Sequence, residues 1–381
     1  MACPGTPYNE ADIVTLTDCQ LVRRHPGMYV GDTGATGLHA TLFALVTSAL
    51  TEIVSGVGTF VSVRLNTDGS ATVEDDAPPI LADGAPSLED VCTRWIGHWP
   101  NPNGRHYSAY FVANALAAQF RVVARSPGAV HTHVFRQGLT HSAAQVEGPP
   151  DARGFSVEFR PDPAIFPNPT FDTDTIHDRL RQLAYLHSGV RVSFTPVGGA
   201  REDFCFADGT REHFRGLVAG SKPLHAEPIA LRGEAHGVRY SIDFQWCADD
   251  ETRIASGANE WITARGGTHE DGLRSGVSRV VLALVRERVS QELDLKGEDA
   301  RSGLRAVVAV RVAEPYFESQ HREHFTNPEV EAIIASAVRV GLSAHFDAHP
   351  ADAEAIARHV ARAAEVRIAA QKTRRGKRSS A

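Results

Sequence analysis

The segment FALVTSALTEI, Phe43 to Ile53, places Ala44, Ser48, Thr51 and Glu52 at i, i+4, i+7 and i+8, which stacks them along one stripe of a helix. A stripe of this kind can present a base and a metal ligand to a bound substrate. Only Glu52 can carry a charge here, so the stripe is either quiet surface or a site stripped of its reactive groups. Other candidates are weaker. His131 and His133 in HTH share one strand face and can begin a metal site, but no third ligand is in view, and surface histidines are the simpler reading. No Walker Gly-x4-Gly-Lys-Ser/Thr motif occurs.

The elements that must hold such residues follow from periodicity. Residues around 36–54 form a helix with Leu38, Leu42, Leu45, Val46, Ala49 and Ile53 on its apolar face. TFVSVRLNTDGSATVEDD alternates on both sides of an Asn-Thr-Asp-Gly turn and reads as a β-hairpin. A Pro-, Gly- and His-rich loop runs to about residue 106, then a helix through YFVANALA. FRVVARSPGAVHTHVFRQG is a second hairpin around Pro-Gly; GFSVEFRPD and VRVSFTP are strands with a helix near 173–186 between them. AGSKPLHAEPIA is the expected domain boundary. Beyond it lie the strands VRYSIDFQW and AVVAVRV, a helix opening near Gly272, and a long C-terminal helix from about Ala351. The class is α+β.

With 381 residues, two domains are expected. Against 39 Lys+Arg stand 46 Asp+Glu, a net −7 that argues against broad nucleic-acid binding by the whole surface; the basic tail QKTRRGKRSSA is the exception and could touch a polyanion, a solvated, frayed helix end being the simpler reading. The five cysteines are far apart, odd in number and without a CxxC pair, which points to reduced thiols rather than a disulfide frame or a zinc site. The N-terminus lacks a signal-peptide pattern and no apolar run suggests a membrane span, so a cytoplasmic protein is expected.

RRHPGMYVGDTGATGLH resembles the opening of the ATPase region of DNA gyrase B and topoisomerase IV, members of the GHKL superfamily. The likeness continues through TVEDDAPPI, LHSGVRVSF, GGTHEDGLRSGVSRVV and EDARSGLRAVVAVRVAEPYFESQHREHF. It implies a GHKL (Bergerat) α/β sandwich with an N-terminal dimerisation arm over residues 1–220, and a ribosomal-S5-like transducer ending in a long basic helix over 221–381. It also makes GGTH at 266–269 a structural turn of the transducer rather than a phosphate loop. The family continues into a DNA-cleavage partner domain, whereas this chain stops after TRRGKRSSA, so a complete topoisomerase is not expected.

The same resemblance assigns the stripe. In the family its positions carry a Glu general base and, one turn later, an Asn that ligates Mg²⁺; here they are Ala44 and Ser48. A family Asp becomes Thr51, and Glu52 stays. The Gly-x-His-Gly-x-Gly phosphate cradle becomes GRHYSA, keeping Gly104 and His106 but putting Tyr107 and Ala109 in place of two glycines. The lid is shortened to WIGHWPNPNG with Trp95, His98 and Trp99. Gly-Arg-Gly becomes Ala77-Pro78-Pro79, while Asp75, by position the adenine-reading carboxylate, survives with Ile80. Tyr8 matches the arm that reaches a dimer partner's nucleotide pocket, and Gln320 and Arg322 match the transducer loop that sends a Gln and a Lys to the γ-phosphate.

Three readings compete. A drifting pocket does nothing; or the chain is a non-hydrolysing gyrase B mimic that binds or protects a gyrase subunit, in self-resistance or regulation; or the pocket is repurposed. The last is favoured on chemistry. Trp95, Trp99, Tyr107 and Tyr110, with Ser48, Thr51 and Ile80, would line a site for an aromatic or polycyclic small molecule, as in secondary metabolism. His106 would be its general acid/base, oriented by Asp75 or Glu52, without metal or cofactor. The bland counterparts are that His106 caps a helix, Asp75 satisfies buried backbone donors, Glu52 faces solvent and the tryptophans pack a short loop. The partners expected are the small molecule, a second copy and, for the mimic, a gyrase subunit; neither a membrane nor DNA is expected as a direct partner.

Overall fold

A computed structural model describes residues 15–79, 86–96 and 107–379. Packing divides the chain into two compact units: the described residues up to His177 together with Val192–Asp203, and Asp178–Arg191 together with everything from Phe204 onward. The sequence places the break at 220, whereas the packing groups residues 204–220 with the second unit.

The first unit opens with α1 (Asp18–Arg24) and α2 (Gly27–Val30), and α1 is started by a capping box in which Thr17 and Gln20 bond each other's backbone. Then come α3 (Ala35–Val54), β1 (Phe60–Leu65), β2 (Ala71–Asp75), α4 (Leu88–Thr93), α5 (Tyr107–Leu116), β3 (Ala117–Ser126), β4 (Ala129–Arg136), β5 (Leu139–Glu147), β6 (Gly154–Pro161), α6 (Thr173–Leu186), whose residues from Asp178 on group with the second unit, β7 (Arg191–Thr195) and β8 (Glu202–Phe204). The strands form one eight-stranded sheet in the order β5-β4-β3-β6-β2-β1-β7-β8. Both expected hairpins are present, with Leu65 opposite Ala71 and Ser126 opposite Ala129. α3 packs against β1 and β2, and α5 against β3 and β6. The apolar face read for α3 is buried throughout. By length and hydropathy α3 would suit a membrane, contrary to the sequence reading, but 72% of its apolar window is buried inside the protein, as in a core helix.

The second unit adds α7 (Thr210–Val218), β9 (Ile229–Ala235), β10 (Val238–Trp246), β11 (Arg253–Ala258), β12 (Trp261–Ile262), α8 (Thr268–Arg288), α9 (Gly297–Ala300), β13 (Leu304–Arg311), α10 (Pro328–Ala348) and α11 (Pro350–Ser379). Its five-stranded sheet runs β12-β11-β13-β10-β9, and β11 lies parallel to β13. Ile242, Phe244 and Trp246 from β10 meet Leu273, Val277, Val338 and Ile356 from the helices in one core. α8 begins four residues before Gly272. Gly272 and Gly276 are interior positions where α10 comes close: a Cβ at Gly272 would stand 2.5 Å from the Glu331 carbonyl oxygen. The two glycines are there for that approach, not for a helix start.

Candidate functional site

α3 carries Ser48 and Glu52 of the stripe into the interior and leaves Ala44 and Thr51 half-buried. Ser48 is completely buried, and its Oγ has no hydrogen-bond partner. Thr51 returns its hydroxyl to the Thr47 carbonyl at 2.9 Å, so it serves the helix. Glu52 is buried rather than facing solvent. The end of α3 meets the loop after β2 at Gly58, where an added Cβ would stand 3.0 Å from Ile53 and 3.3 Å from the Ala77 nitrogen.

Asp75 closes β2 and is likewise buried. Its Oδ1 accepts from the Ala77 N–H at 3.0 Å, so one oxygen holds the turn. Its neighbour Asp76 is structural: it accepts from the Thr59 N–H, the Thr59 hydroxyl and the Phe60 N–H. Burial pushes the Asp76 carboxyl up, but these bonds outweigh it and hold the group below the usual carboxylate range. Across the sheet Asp75 is paired with Phe155 on β6, and directly opposed residues share a face. Phe155 is 2% exposed, and the equally buried Tyr110 of α5 meets it edge to face at 5.3 Å. The side of the sheet that carries Asp75 is therefore packed with two rings.

The expected aromatic set falls in two places. Tyr110 packs inward on Phe155, whereas Trp95 is 53% exposed with its edges toward Tyr29 at 6.2 Å and Phe111 at 5.7 Å. Tyr107 opens α5, but its side chain lies outside the described residues. Tyr8, Ile80, His98, Trp99 and His106 also lie outside them.

Gln320 and Arg322 belong to the second unit. Gln320 is exposed on a turn. Arg322 has φ 54°, and its guanidinium stands 4.3 Å over the Trp261 ring and 5.9 Å from the Phe317 ring centre. Burial draws its pKa below the usual value, with Glu260 acting the other way.

Sequence reasoning misses Phe155, Asp76 and the Trp261 platform. Locally Phe155 reads as a strand residue and no more; its role depends on the register with β2, which no local pattern encodes.

Metal-ligating types converge at one place among the described residues: His225, His345 and Asp352 each offer an atom within 4.8 Å of the others. With Nδ1 protonated, His225 donates to the Glu227 carbonyl at 2.8 Å and accepts from the Trp246 N–H at 3.2 Å, so both nitrogens are spent. His345 Nε2 bonds Asp352 at 3.1 Å. The group is a staple between the β9 approach and the α10–α11 junction. His131 and His133 stand on β4, and Glu89 is near enough to act on His133 electrostatically, but among the described residues these groups do not bring three ligand atoms within 4.8 Å of one another.

A family model described as DNA gyrase B matches residues 209–376. The chain is 33% identical to the DNA gyrase B protein of Archaeoglobus fulgidus over 92% of its own length and 58% of that protein's. It is 33% identical to the corresponding type 2 topoisomerase subunit of Aquifex aeolicus over 96% of its length and 48% of that protein's. The 43K ATPase domain of Thermus thermophilus gyrase B, solved with an aminocoumarin, is 30% identical with a TM-score of 0.73, covering 94% of this chain and 98% of that one. The chain belongs to the DNA gyrase B family. The gyrase B fragment of Myxococcus xanthus superposes with a TM-score of 0.77 at 27% identity, covering 90% of this chain and 99% of that one. The fold is that of the GHKL α/β sandwich followed by the transducer. The chain spans about half to three-fifths of the length of these two full-length gyrase-type relatives.

Proposed function

We propose that this chain is a gyrase-B-like module that does not hydrolyse ATP and acts by binding, taking the place of a gyrase B ATPase region in a dimer with itself or with a gyrase subunit. The observation that carries this reading is the α3 stripe: a methyl at Ala44 and a buried, unpartnered hydroxyl at Ser48. Neither can take a proton from water. Mg²⁺ demands a near-octahedral shell of hard oxygen ligands, and a methyl with one enclosed hydroxyl does not fit that demand. The Phe155–Tyr110 pair beside Asp75 supports the same reading, because rings fill the side of the sheet where a purine would be read. In the second unit Arg322 is engaged by Trp261 and Phe317, an alternative use for a group otherwise expected at a phosphate. The whole two-unit fold persists without the hydrolytic groups, which favours a role for its surfaces.

A second reading has its own observation. Glu52 and Asp75 are both carboxylates held in the interior of the first unit, a setting suited to acid–base work on a small molecule. Purified protein should be titrated calorimetrically with a non-hydrolysable ATP analogue and Mg²⁺, beside a turnover assay and gel filtration with a genuine gyrase B ATPase fragment. Mixed dimers without turnover support the first reading; turnover at the rate of that fragment sinks it. No association and no nucleotide binding would transfer the case to the second.

A further inference from the structure

The second unit contains a cleft of about 660 Å³, lined by none of the residues assigned to the nucleotide site. That volume is within the range of small-molecule sites. It is walled by the end of α6, by Gly209 and Thr210 at the start of α7, and by the face of β9, β10 and β13 opposite the helical core. Its floor is apolar, with Leu186 and Ala309; guanidinium groups of Arg232, Arg239 and Arg311 stand around it.

The three cations are not equivalent. Arg232 is committed to the buried Asp243 carboxylate at 2.5 Å and to the Ile242 carbonyl at 2.8 Å. Arg239 is an exposed rim residue near Glu234 at 3.4 Å. Arg311 donates to His187 Nδ1 at 3.2 Å, and the carboxylate paired with it, Glu260, stands 3.9 Å away, beyond hydrogen-bond distance. His187 is buried and uncharged at neutral pH, since burial and then Arg311 push its pKa down to about 3. Asp208, the acidic group on the α7 side, is matched by Arg215 at 2.6 Å. The Thr210 and Ser241 hydroxyls lie 3.0 Å apart between the walls and can supply a donor. An under-matched guanidinium over an apolar floor fits an anionic head on an apolar body; a bare inorganic anion would leave the floor wet.

We propose that this cleft binds a small organic anion, an aryl or acyl carboxylate or sulfonate, with its body over Leu186 and Ala309 and its charged head at Arg311.

The test titrates the full chain with 8-anilinonaphthalene-1-sulfonate, and with N-phenyl-1-naphthylamine as the same body without the charge. One saturable sulfonate site is expected. Arg311→Gln should weaken the sulfonate at least tenfold and the neutral dye less than twofold. Arg239→Gln, an exposed change that leaves the fold alone, should weaken the sulfonate about threefold. Ala309→Phe should fill the floor and weaken both dyes. Naphthalene-2-carboxylate should displace the sulfonate, while inorganic phosphate at equal concentration and the ATP analogue should not. The proposal is overturned if Arg311→Gln and Arg239→Gln leave the sulfonate unchanged in protein that melts normally. Displacement by phosphate or by the ATP analogue overturns it equally, by placing the dye on a bare anion site or in the nucleotide cleft.

Discussion

Buried charges of the second unit stand against counter-charges. Asp299 is gripped by Arg367 through two bonds at 2.8 and 2.9 Å, Arg305 reaches Asp249 at 2.8 Å, and Asp243 holds Arg232 at 2.5 Å. On α3 of the first unit the Ser48 hydroxyl is equally enclosed and bonded to nothing. These paired charges behave as parts of a scaffold, whose removal costs stability, although the second unit also encloses partnerless atoms such as the Thr268 hydroxyl and His269 Nδ1. On the proposed function the stripe is a place where polarity has outlasted its use, and an unmet hydroxyl destabilises the fold that contains it.

The largest effect should come from breaking a scaffold pair. Arg367 fixes α11 to α9 through Asp299, and both side chains are largely buried, at 13% and 3% exposure. Arg367→Leu leaves the Asp299 carboxylate enclosed with only the Lys296 N–H, at 2.7 Å, among these bonds. A loss of about 3 kcal/mol in unfolding free energy is expected, read by urea denaturation. The double variant with Asp299→Ala should recover part of it. A loss below about 1 kcal/mol in the single variant would mean that the pair is not a scaffold element.

A smaller effect separates the units by pH. His187 and His269 of the second unit are fully buried and neutral; burial pushes both down to about 3, with Arg311 and His324 adding to it respectively. The unfolded chain takes up these protons near pH 6.5, well above the folded protein, so their contribution is fully present above pH 6.5 and is lost as pH falls toward 3. Each group contributes a slope approaching about 1.4 kcal/mol per pH unit, so the pair should remove about 2 kcal/mol between pH 7 and 5.5. Hydrogen exchange, corrected for intrinsic rates, should show the second unit's core opening more readily at pH 5.5. Unchanged protection there would contradict the buried, neutral assignment.

What could be read in advance follows the reach of the interactions. The β1–β2 hairpin is legible because Val61, Val63 and Leu65 alternate with less buried residues and a turn sequence separates the strands. β5 is not, because it is exposed along its whole length and LTHSAAQVE has no apolar face; pairing to β4 alone makes it a strand. The start of α8 is misplaced from sequence because a glycine looks like punctuation, when Gly272 is there for the neighbouring helix. At the candidate site, the residue types of the stripe are legible and the fate of the rings is not. Tyr110 can be recognised as aromatic from sequence, but its partner Phe155 lies in a distant strand whose register with Asp75 is a long-range property. Arg322 likewise shows its charge in the sequence, while the Trp261 platform that holds it comes only with the fold.

The smallest effect is the most informative about α3. Replacing a buried hydroxyl that has no partner removes a desolvation cost and leaves only a small void. Ser48→Ala should therefore be neutral or stabilise the protein by up to about 1 kcal/mol, and should raise the melting temperature slightly if anything. The opposite sign, a loss of about 1 kcal/mol or more, would show that the hydroxyl serves a partner such as an ordered water or a ligand retained through purification, and the stripe would then be a working site. The variant also separates the two functional readings: dimer formation with a gyrase B fragment should be untouched by Ser48→Ala, whereas a ligand held at the stripe should bind more weakly. Measured together, the melt and the association assay decide whether α3 is a relic within a scaffold or the floor of a pocket.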